Sequence, residues 1–278
     1  MSRPLLLVDT PYLLYRAFYG LPDKIKGADG RPVNALLGTV NTILAQAEEN
    51  DARAVVTAFG PDAAVYRKDL YPDYHAHRPP MPADLAHQWG QAPDLMGAFG
   101  WHVHEHDVLE ADDVLGSLAE KEEQAGGKAL ILTGDRDLFQ CATDEVNVLL
   151  LGGRGKKGPE RIDPAAVRRR YGIPPELVPD FIALRGDPSD GLPGAKGIGE
   201  KRAAEILSRC GSLEKALEGA AADGPLGGGQ DLLRAFKDIA TLRPVKLKRP
   251  KDAETDRAGG AKAARRLGMK RLAERMEG

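Results

Sequence analysis

Short apolar runs alternate with longer amphipathic stretches through the first half of the chain. The runs are Pro4–Val8, Ala54–Phe59, Trp101–Val108, Ala129–Leu132 and Val146–Leu151. Between them, Tyr12–Gly20, Val33–Glu49, Leu85–Phe99 and Asp112–Gln124 place apolar residues at helical spacing. Strand-like runs separated by helices predict an α/β fold with a parallel sheet covered by helices. In such a sheet, ligands bind beyond the carboxyl ends of the strands. Asp9 follows the first run, Glu110-Ala111-Asp112-Asp113 the third and Asp135-Arg136-Asp137 the fourth. The pattern therefore gathers carboxylates on one rim.

The texture changes in two places. Residues 66–92 are rich in aromatics, bases and prolines (Tyr66, Arg67, Tyr71, Tyr74, His75, Arg78, Pro79, Pro80), which predicts a mobile insertion after the second strand. Asp163-Pro164 is an N-cap with proline at the first helical position, and Tyr171-Gly172-Ile173-Pro174 stops that helix. A small helical region follows to about residue 240. The Gly152–Lys157 stretch lacks the spacing of a phosphate-binding Walker loop and reads as a basic connection.

Composition narrows the class. With 278 residues, 42% apolar and 29% charged, the chain can bury a core, and wholesale disorder is excluded. Two cysteines, Cys141 and Cys210, exclude a disulfide scaffold and read as small buried apolar residues. No apolar run approaches the roughly 20 residues of a membrane span, so the expected location is cytoplasmic. The net charge of −2 conceals an asymmetry: residues 241–278 carry +7 and the remainder −9. That asymmetry suggests a phosphate-facing surface joined to a carboxylate-rich site. Residues 250–278 alone read as a solvated tail.

Several carboxylates on one rim repel one another unless cations screen them. Oxygen-only ligands suit Mg²⁺ or Mn²⁺ rather than zinc, and a pair of such ions is the usual apparatus for hydrolysing a phosphodiester. Taken singly, Asp112 or Asp135 could equally be a helix cap. A second signal is Gly186-Asp187-Pro188-Ser189-Asp190-Gly191-Leu192-Pro193-Gly194-Ala195-Lys196-Gly197-Ile198-Gly199-Glu200-Lys201. Its Pro-Gly-x-x-Gly-Ile-Gly core is a helix-hairpin-helix turn, in which glycine lets backbone amides approach a phosphate. Lys196 and Lys201 add charge to a clamp that reads no base edges.

Together, Val8-Asp9, Leu14-Tyr15-Arg16-Ala17-Phe18, Glu110–Asp113, Thr133-Gly134-Asp135-Arg136-Asp137 and Gly186-Asp187…Asp190 resemble the motifs of the 5′ nucleases. That family includes bacterial and phage flap endonucleases and the amino-terminal nuclease domain of DNA polymerase I. The resemblance runs from Pro4 to about Pro244. It implies a PIN-like, mostly parallel sheet over residues 1–172, with a helical arch near 66–92. It further implies a helix-hairpin-helix subdomain over 173–244 and leaves 245–278 as a basic tail. The implied activity is metal-dependent 5′-3′ exonuclease and flap-endonuclease hydrolysis of DNA near single-strand/duplex junctions.

By position, Asp9, Glu110, Asp112, Asp113, Asp135, Asp137, Asp187 and Asp190 match the family's metal ligands, with Asp9, Asp112 and Asp135 at the catalytic centre. Tyr15, Arg16, Tyr74, Arg78, Gly194, Lys196, Gly197, Gly199 and Lys201 match DNA-contacting positions. The family's hairpin loop also holds K⁺ through backbone carbonyls, here Gly194–Gly199. Implied partners are DNA 5′ ends, flaps and nicks, and a separate polymerase or ligase acting in trans on behalf of a monomeric nuclease.

Three positions depart from the family pattern. Gly60 replaces a usual ligand aspartate, His75 replaces an arch lysine expected beside the scissile phosphate with Arg78, and Gly191 replaces an asparagine. Asp62, two residues beyond Gly60, could supply the missing carboxylate. Two rivals remain: a DNA-binding relative with weakened catalysis, and a PIN-like ribonuclease. Among weaker features, His102, His104 and His106 alternate as either a polar strand face or a soft-metal site. Trp89 and Trp101 read as core more readily than as base platforms. Tyr66, Tyr71 and Tyr74 suit stacking and surface packing equally.

Overall fold

The computed structural model describes residues 3–152, 158–221, 224 and 226–278. Most of the predicted basic connection at 152–157 therefore lies outside the described residues. The strands are β1 (Leu5–Asp9), β2 (Ala54–Phe59), β3 (His102–Glu105), β4 (Ala129–Thr133), β5 (Val146–Leu150) and β6 (Glu160–Ile162). They form one sheet in the order β3-β2-β1-β4-β5-β6, parallel except for β6 at its edge. The first helices are α1 (Thr10–Gly20), α2 (Asn34–Glu49), α3 (Val65–Leu70), α4 (Ala83–Ala98), α5 (Ala111–Gln124) and α6 (Pro164–Tyr171). Beyond them lie α7 (Val178–Arg185), α8 (Glu200–Cys210), α9 (Leu213–Glu218), α10 (Gln230–Ala240), α11 (Arg257–Arg266) and α12 (Lys270–Glu277).

Both faces of the sheet are covered, which is why β1 can be apolar at every position before Asp9. Leu5 and Leu7 pack with residues of α5 to α10, while Leu6 and Val8 pack with α1, α2, α4, α11 and α12. The α1 and α6 starts follow from local chemistry: Asp9 and Asp163 each accept a backbone N–H of their own helix, from Tyr12 and Ala166. Gly172, at φ +71°, ends α6 as its sequence predicts. The third strand stops at Glu105 rather than Val108. His106 Nδ1 accepts the amides of Val108 and Leu109, and this turns the chain.

Two expectations about segment order are corrected. Residues 250–278 are not a solvated tail. The segment crosses the lower edge of the sheet, where Asp256 N donates to Phe99 O at 2.8 Å and Trp101 Nε1 to Thr255 Oγ1 at 3.1 Å. It then buries Ala261, Ala264, Met269, Leu272, Ala273 and Met276. Those positions recur at helical spacing beneath the cations, so the charge count concealed an amphipathic stripe. Residues 66–92 are likewise anchored at several points, with Arg67, Tyr74, Leu85 and Gln88 buried, while 76–80 stay exposed. No helix of the described residues is long and apolar enough to cross a membrane.

Candidate active site

The parallel register puts the ends of β1 and β4 side by side, with Val8 opposite Leu132. Thr133 Oγ1 ties them together: it donates to Asp9 Oδ2 at 2.6 Å and accepts the Asp135 amide at 2.9 Å. Asp135 Oδ1 in turn accepts the Asp137 amide at 2.8 Å. Gly134 between them leaves room for Tyr12, whose ring a Cβ there would displace. From the third strand's loop, Glu110 precedes α5 and Asp112 lies in its first turn. Asp9, Glu110, Asp112, Asp135, Asp137 and Asp190 then line one cleft of 440 Å³, with Asp62, Tyr15, Tyr74, His75 and Arg78.

The acids divide by whether a cation answers them. Arg67 forks between Glu110 at 2.5 Å and Asp113 at 3.2 Å. Arg185 pairs with Asp187 at 3.0 Å, and Arg78 with Asp190 at 3.1 Å and Asp62 at 3.2 Å. Asp9, Asp112, Asp135 and Asp137 form no ion pair among the described residues. Burial pushes the carboxyls of all four upward. Asp9 and Asp135 add to the shift at Asp112, and Asp135 does so at Asp137. Asp135 is pushed up to about 7 by burial and by Asp190 and Asp9, against the Asp137 hydrogen bond. Uncompensated oxygen ligands of this kind fit a hard divalent cation. Among the described residues, no group of three or more His, Cys, Asp or Glu side chains is already set to hold an ion. The unanswered charge is what carries the fit.

Asp113 is fully buried and does not line the cleft. Its Oδ1 accepts Arg67 and the Arg243 amide at 2.7 Å, and its Oδ2 accepts the Glu110 amide at 3.1 Å. It fixes the start of α5 in a reciprocal capping box with Glu110. Asp187 is also outside the cleft wall and is held by Ser189 and Arg185. Arg16 turns to the Gly152 carbonyl at 2.8 Å. Tyr74 donates to Glu110 Oε2 at 3.1 Å and is 3% exposed, so its ring braces Glu110 from the core. Tyr71 packs edge-on against Phe236, and Tyr66 lies under Arg243. Thr133 belongs to the Thr133–Asp137 motif, whereas nothing in the sequence singles out Arg67 and Arg185, which pair with these acids, as site residues.

At the arch, His75 sits at φ +57° with its ring stacked on Tyr74 at 3.9 Å. Its Nδ1 is 2.7 Å from the Asp62 carbonyl and its Nε2 3.1 Å from Asp190 Oδ1. Both ring nitrogens thus face acceptors. Gly60 is no simple gap in the ligand set, because a Cβ there would lie 2.6 Å from Leu109 O and 2.7 Å from Ala111 N. Asp62 stays on the cleft wall but is committed to Arg78. The three histidines of the third strand's region do not converge: His102 bonds Lys251 O, and His106 caps its own turn. Burial lowers the His104 pKa. Cys141 and Cys210 are half-buried rather than buried.

The hairpin joins α7 to α8. Gly186, Gly191, Gly194 and Gly197 all have φ between +67° and +82°. A Cβ on Gly194 would meet Gly186 N at 2.3 Å, so this turn closes only with glycine. Ala195 and Ile198 are buried beneath it, while Lys196, Gly197, Gly199 and Lys201 are exposed.

A mostly parallel sheet with an acidic rim and a helical hairpin subdomain defines a metal-type nuclease architecture. Residues 4–172 match the 5′-3′ exonuclease N-terminal resolvase-like domain, and residues 173–253 match the 5′-3′ exonuclease C-terminal SAM fold. The chain belongs to the 5′-3′ exonuclease family. A Mycobacterium tuberculosis 5′-3′ exonuclease is 37% identical over 80% of this chain and 75% of its own length. The thermostable DNA polymerase I of Thermus filiformis is 41% identical over 78% of this chain. The chain spans about a quarter to a third of the length of the DNA polymerase I relatives it matches. The T5 D15 protein, crystallised with metal ions, has the same fold at TM-score 0.72 and 17% identity, covering 99% of this chain and 97% of its own. The catalytic core of Rad2 with DNA substrate aligns at TM-score 0.64 and 14% identity, covering 99% and 90%.

Proposed function

We propose that this chain hydrolyses DNA phosphodiester bonds at or near the junction of a 5′ single strand and a duplex, as a 5′-3′ exonuclease and flap endonuclease. The observation that carries the reading is the set of four buried rim carboxylates, Asp9, Asp112, Asp135 and Asp137, that make no direct ion pair among the described residues and whose carboxyls are all pushed upward. These would hold two or more Mg²⁺ or Mn²⁺ ions, with Glu110 and Asp190 beside them and Asp187 contributing charge from behind. Such ions make water acidic enough to attack the phosphodiester and neutralise the leaving oxygen. Asp113 keeps Glu110 in place through its backbone amide. Arg78 and His75 face the cleft from the arch and orient the phosphate, a task in which Asp62 limits their freedom. Tyr15 borders the strand being cut.

The hairpin amides, with Lys196 and Lys201, hold the duplex backbone without reading sequence. Its carbonyls from Gly194 to Gly199 suit a K⁺ ion. On this reading the chain works in the cytoplasm as a monomer on ends, flaps and nicks, upstream of a polymerase or ligase. The test uses end-labelled 5′-flap DNA, nicked duplex and single-stranded RNA, each with Mg²⁺, Mn²⁺ or chelator. Metal-dependent cutting of flap and nick is expected. Preferential cutting of the RNA overturns the reading in favour of a ribonuclease. Flap DNA bound but uncut with either metal returns it to a DNA-binding relative, the outcome that the closed backbone at Gly60 favours.

A further inference from the structure

Two arginines, Arg67 and Arg78, reach the cleft wall, and they stand in opposite conditions. The Arg78 side chain is 40% exposed, with Asp62 and Asp190 as its partners. Arg67 is 3% exposed, and each of its guanidinium nitrogens is engaged by protein. Its Nη1 pairs with Glu110 Oε2 at 2.5 Å, and its Nη2 donates to Asp113 Oδ1 at 3.2 Å. Its Nε donates to the Ile239 carbonyl at 3.0 Å. These partners come from separate parts of the fold. Arg67 lies on α3 at the base of the arch, Glu110 and Asp113 open α5, and Ile239 is in the last turn of α10. The carbonyl there has no partner within its own helix, and a cation suits that end of the helix dipole. Glu110 is held from the same stretch of chain. Its Oε1 accepts the Ala64 amide at 2.7 Å, and its Oε2 accepts the Tyr74 hydroxyl at 3.1 Å beside Arg67.

Resting on the metal-dependent nuclease reading above, we infer that Arg67 is a positioning residue for Glu110. It fixes that carboxylate as a member of the rim's metal-binding set and takes no part in holding DNA. A planar guanidinium can fork between Glu110 and Asp113 and still donate from Nε, whereas an ammonium is a single point of charge. With each nitrogen bonded and almost no surface open to solvent, Arg67 is poorly placed to meet a phosphate. Arg78 is the exposed cation that suits that task. The inference carries a sign. On charge alone, a cation beside the acids competes with a metal ion, so removing it should tighten metal binding. If Arg67 aims Glu110, removing it weakens binding instead, because partners that orient a metal's ligands carry about ten-fold to a hundred-fold in affinity.

The test reads Mn²⁺ binding to the DNA-free protein, by the paramagnetic resonance of free Mn²⁺. Wild type, Arg67→Lys, Arg67→Met and Tyr74→Phe are compared. Kd for 5′-flap DNA is measured by anisotropy in chelator, and kcat with saturating Mn²⁺. Both Arg67 variants should lose Mn²⁺ affinity by about ten-fold or more, lysine as well as methionine, because lysine keeps the charge and loses the fork. The kcat should fall with it, while flap affinity in chelator stays level. Tyr74→Phe removes a brace on the same carboxylate and no charge, and should lose Mn²⁺ affinity in the same direction by less. Mn²⁺ binding that tightens in Arg67→Met and holds in Arg67→Lys overturns the inference and leaves Arg67 a simple charge. Flap affinity lost in chelator, with Mn²⁺ affinity intact, makes Arg67 a DNA contact and overturns it likewise. Thermal melting establishes that each variant is folded. If Arg67 tolerates no change, full Mn²⁺ affinity in Tyr74→Phe overturns the claim that bracing Glu110 sets the rim. A wild type that binds Mn²⁺ and cuts flap DNA, with variants unaltered, removes only the role of Arg67. A wild type that binds no Mn²⁺ and cuts nothing removes the nuclease reading itself.

Discussion

Helix α5 carries an acid at each end, Asp112 in its first turn and Glu122 in its last. Glu122 is completely buried yet faces Arg53 at 2.6 Å and Arg249 at 2.8 Å. Burial alone would raise its pKa, but hydrogen bonds from Arg249 and Arg53 outweigh it and hold the carboxyl below its usual range. Asp112 meets Asp9 and Asp135 instead, and burial with their repulsion drives its carboxyl well upward. One helix thus ends in a staple at the lower edge of the sheet and in unspent negative charge at the upper rim. A buried carboxylate by itself indicates neither structure nor catalysis; the charge beside it decides.

Substitution at the two ends should separate the roles most sharply. Asp112→Asn or Asp135→Asn should lower kcat by a factor on the order of 10² or more, while metal-free stability stays level or rises because repulsion is relieved. Glu122→Gln should do the reverse. It leaves two arginines with an unmatched partner, a loss of about 3–5 kcal/mol, and the melting temperature falls by about 10 °C while cleavage at permissive temperature persists. If Glu122→Gln loses cleavage while remaining folded, or Asp112→Asn keeps it, the division fails.

The pH dependence has opposite signs at the two centres. Asp135 is raised in the fold from 3.8 to about 7, so its contribution is full below its unfolded value and is lost as pH climbs through about 7. Glu122 is lowered, so its contribution is present above the ordinary glutamate range and is lost as pH falls below it. Metal-free protein should therefore melt lower at pH 8 than at pH 5.5, and Mg²⁺ or Mn²⁺ should close that gap. A melting temperature that rises across this interval without metal would place compensating charge at the rim. The gap should shrink in Asp135→Asn and persist in Glu122→Gln.

Smaller effects test the borders of the rim. Gly60→Asp should lose stability by about 1–3 kcal/mol, since its Cβ meets backbone on the segment that carries Glu110. Cleavage should fall with it, and a gain in activity would mean that this backbone yields to admit the carboxylate. At the hairpin, Lys196→Ala and Lys201→Ala should each weaken duplex binding a few-fold, equally for unrelated sequences, and reduce the salt slope by roughly one. An unchanged slope would remove those lysines from the phosphate contact.

Much of this was legible in the residues themselves. Five strand-like runs became the five parallel strands: β1, β2 and β4 are buried at every position because both faces are covered, while β3 at the sheet edge is only partly buried. The acids that follow them reached one rim, because parallel strands all end on the same side. Gly186, Gly191, Gly194 and Gly197 specified a hairpin through backbone conformations that other residues avoid. Less was legible where charge was counted without its partners: the +7 end of the chain proved to be a packed helical pair, and Arg67, inside a stretch expected to be mobile, proved to be buried. The sequence by itself determined the sheet, the rim and the hairpin, since each follows from a local pattern of side chains or φ angles. Only the tertiary structure decided that Arg67 pairs with Glu110 and Asp113, that Arg53 and Arg249 pair with Glu122, and that Asp9, Asp112, Asp135 and Asp137 make no direct ion pair among the described residues. An ion pair depends on distance in space, and no residue type or spacing reveals which cation the folded chain will bring alongside.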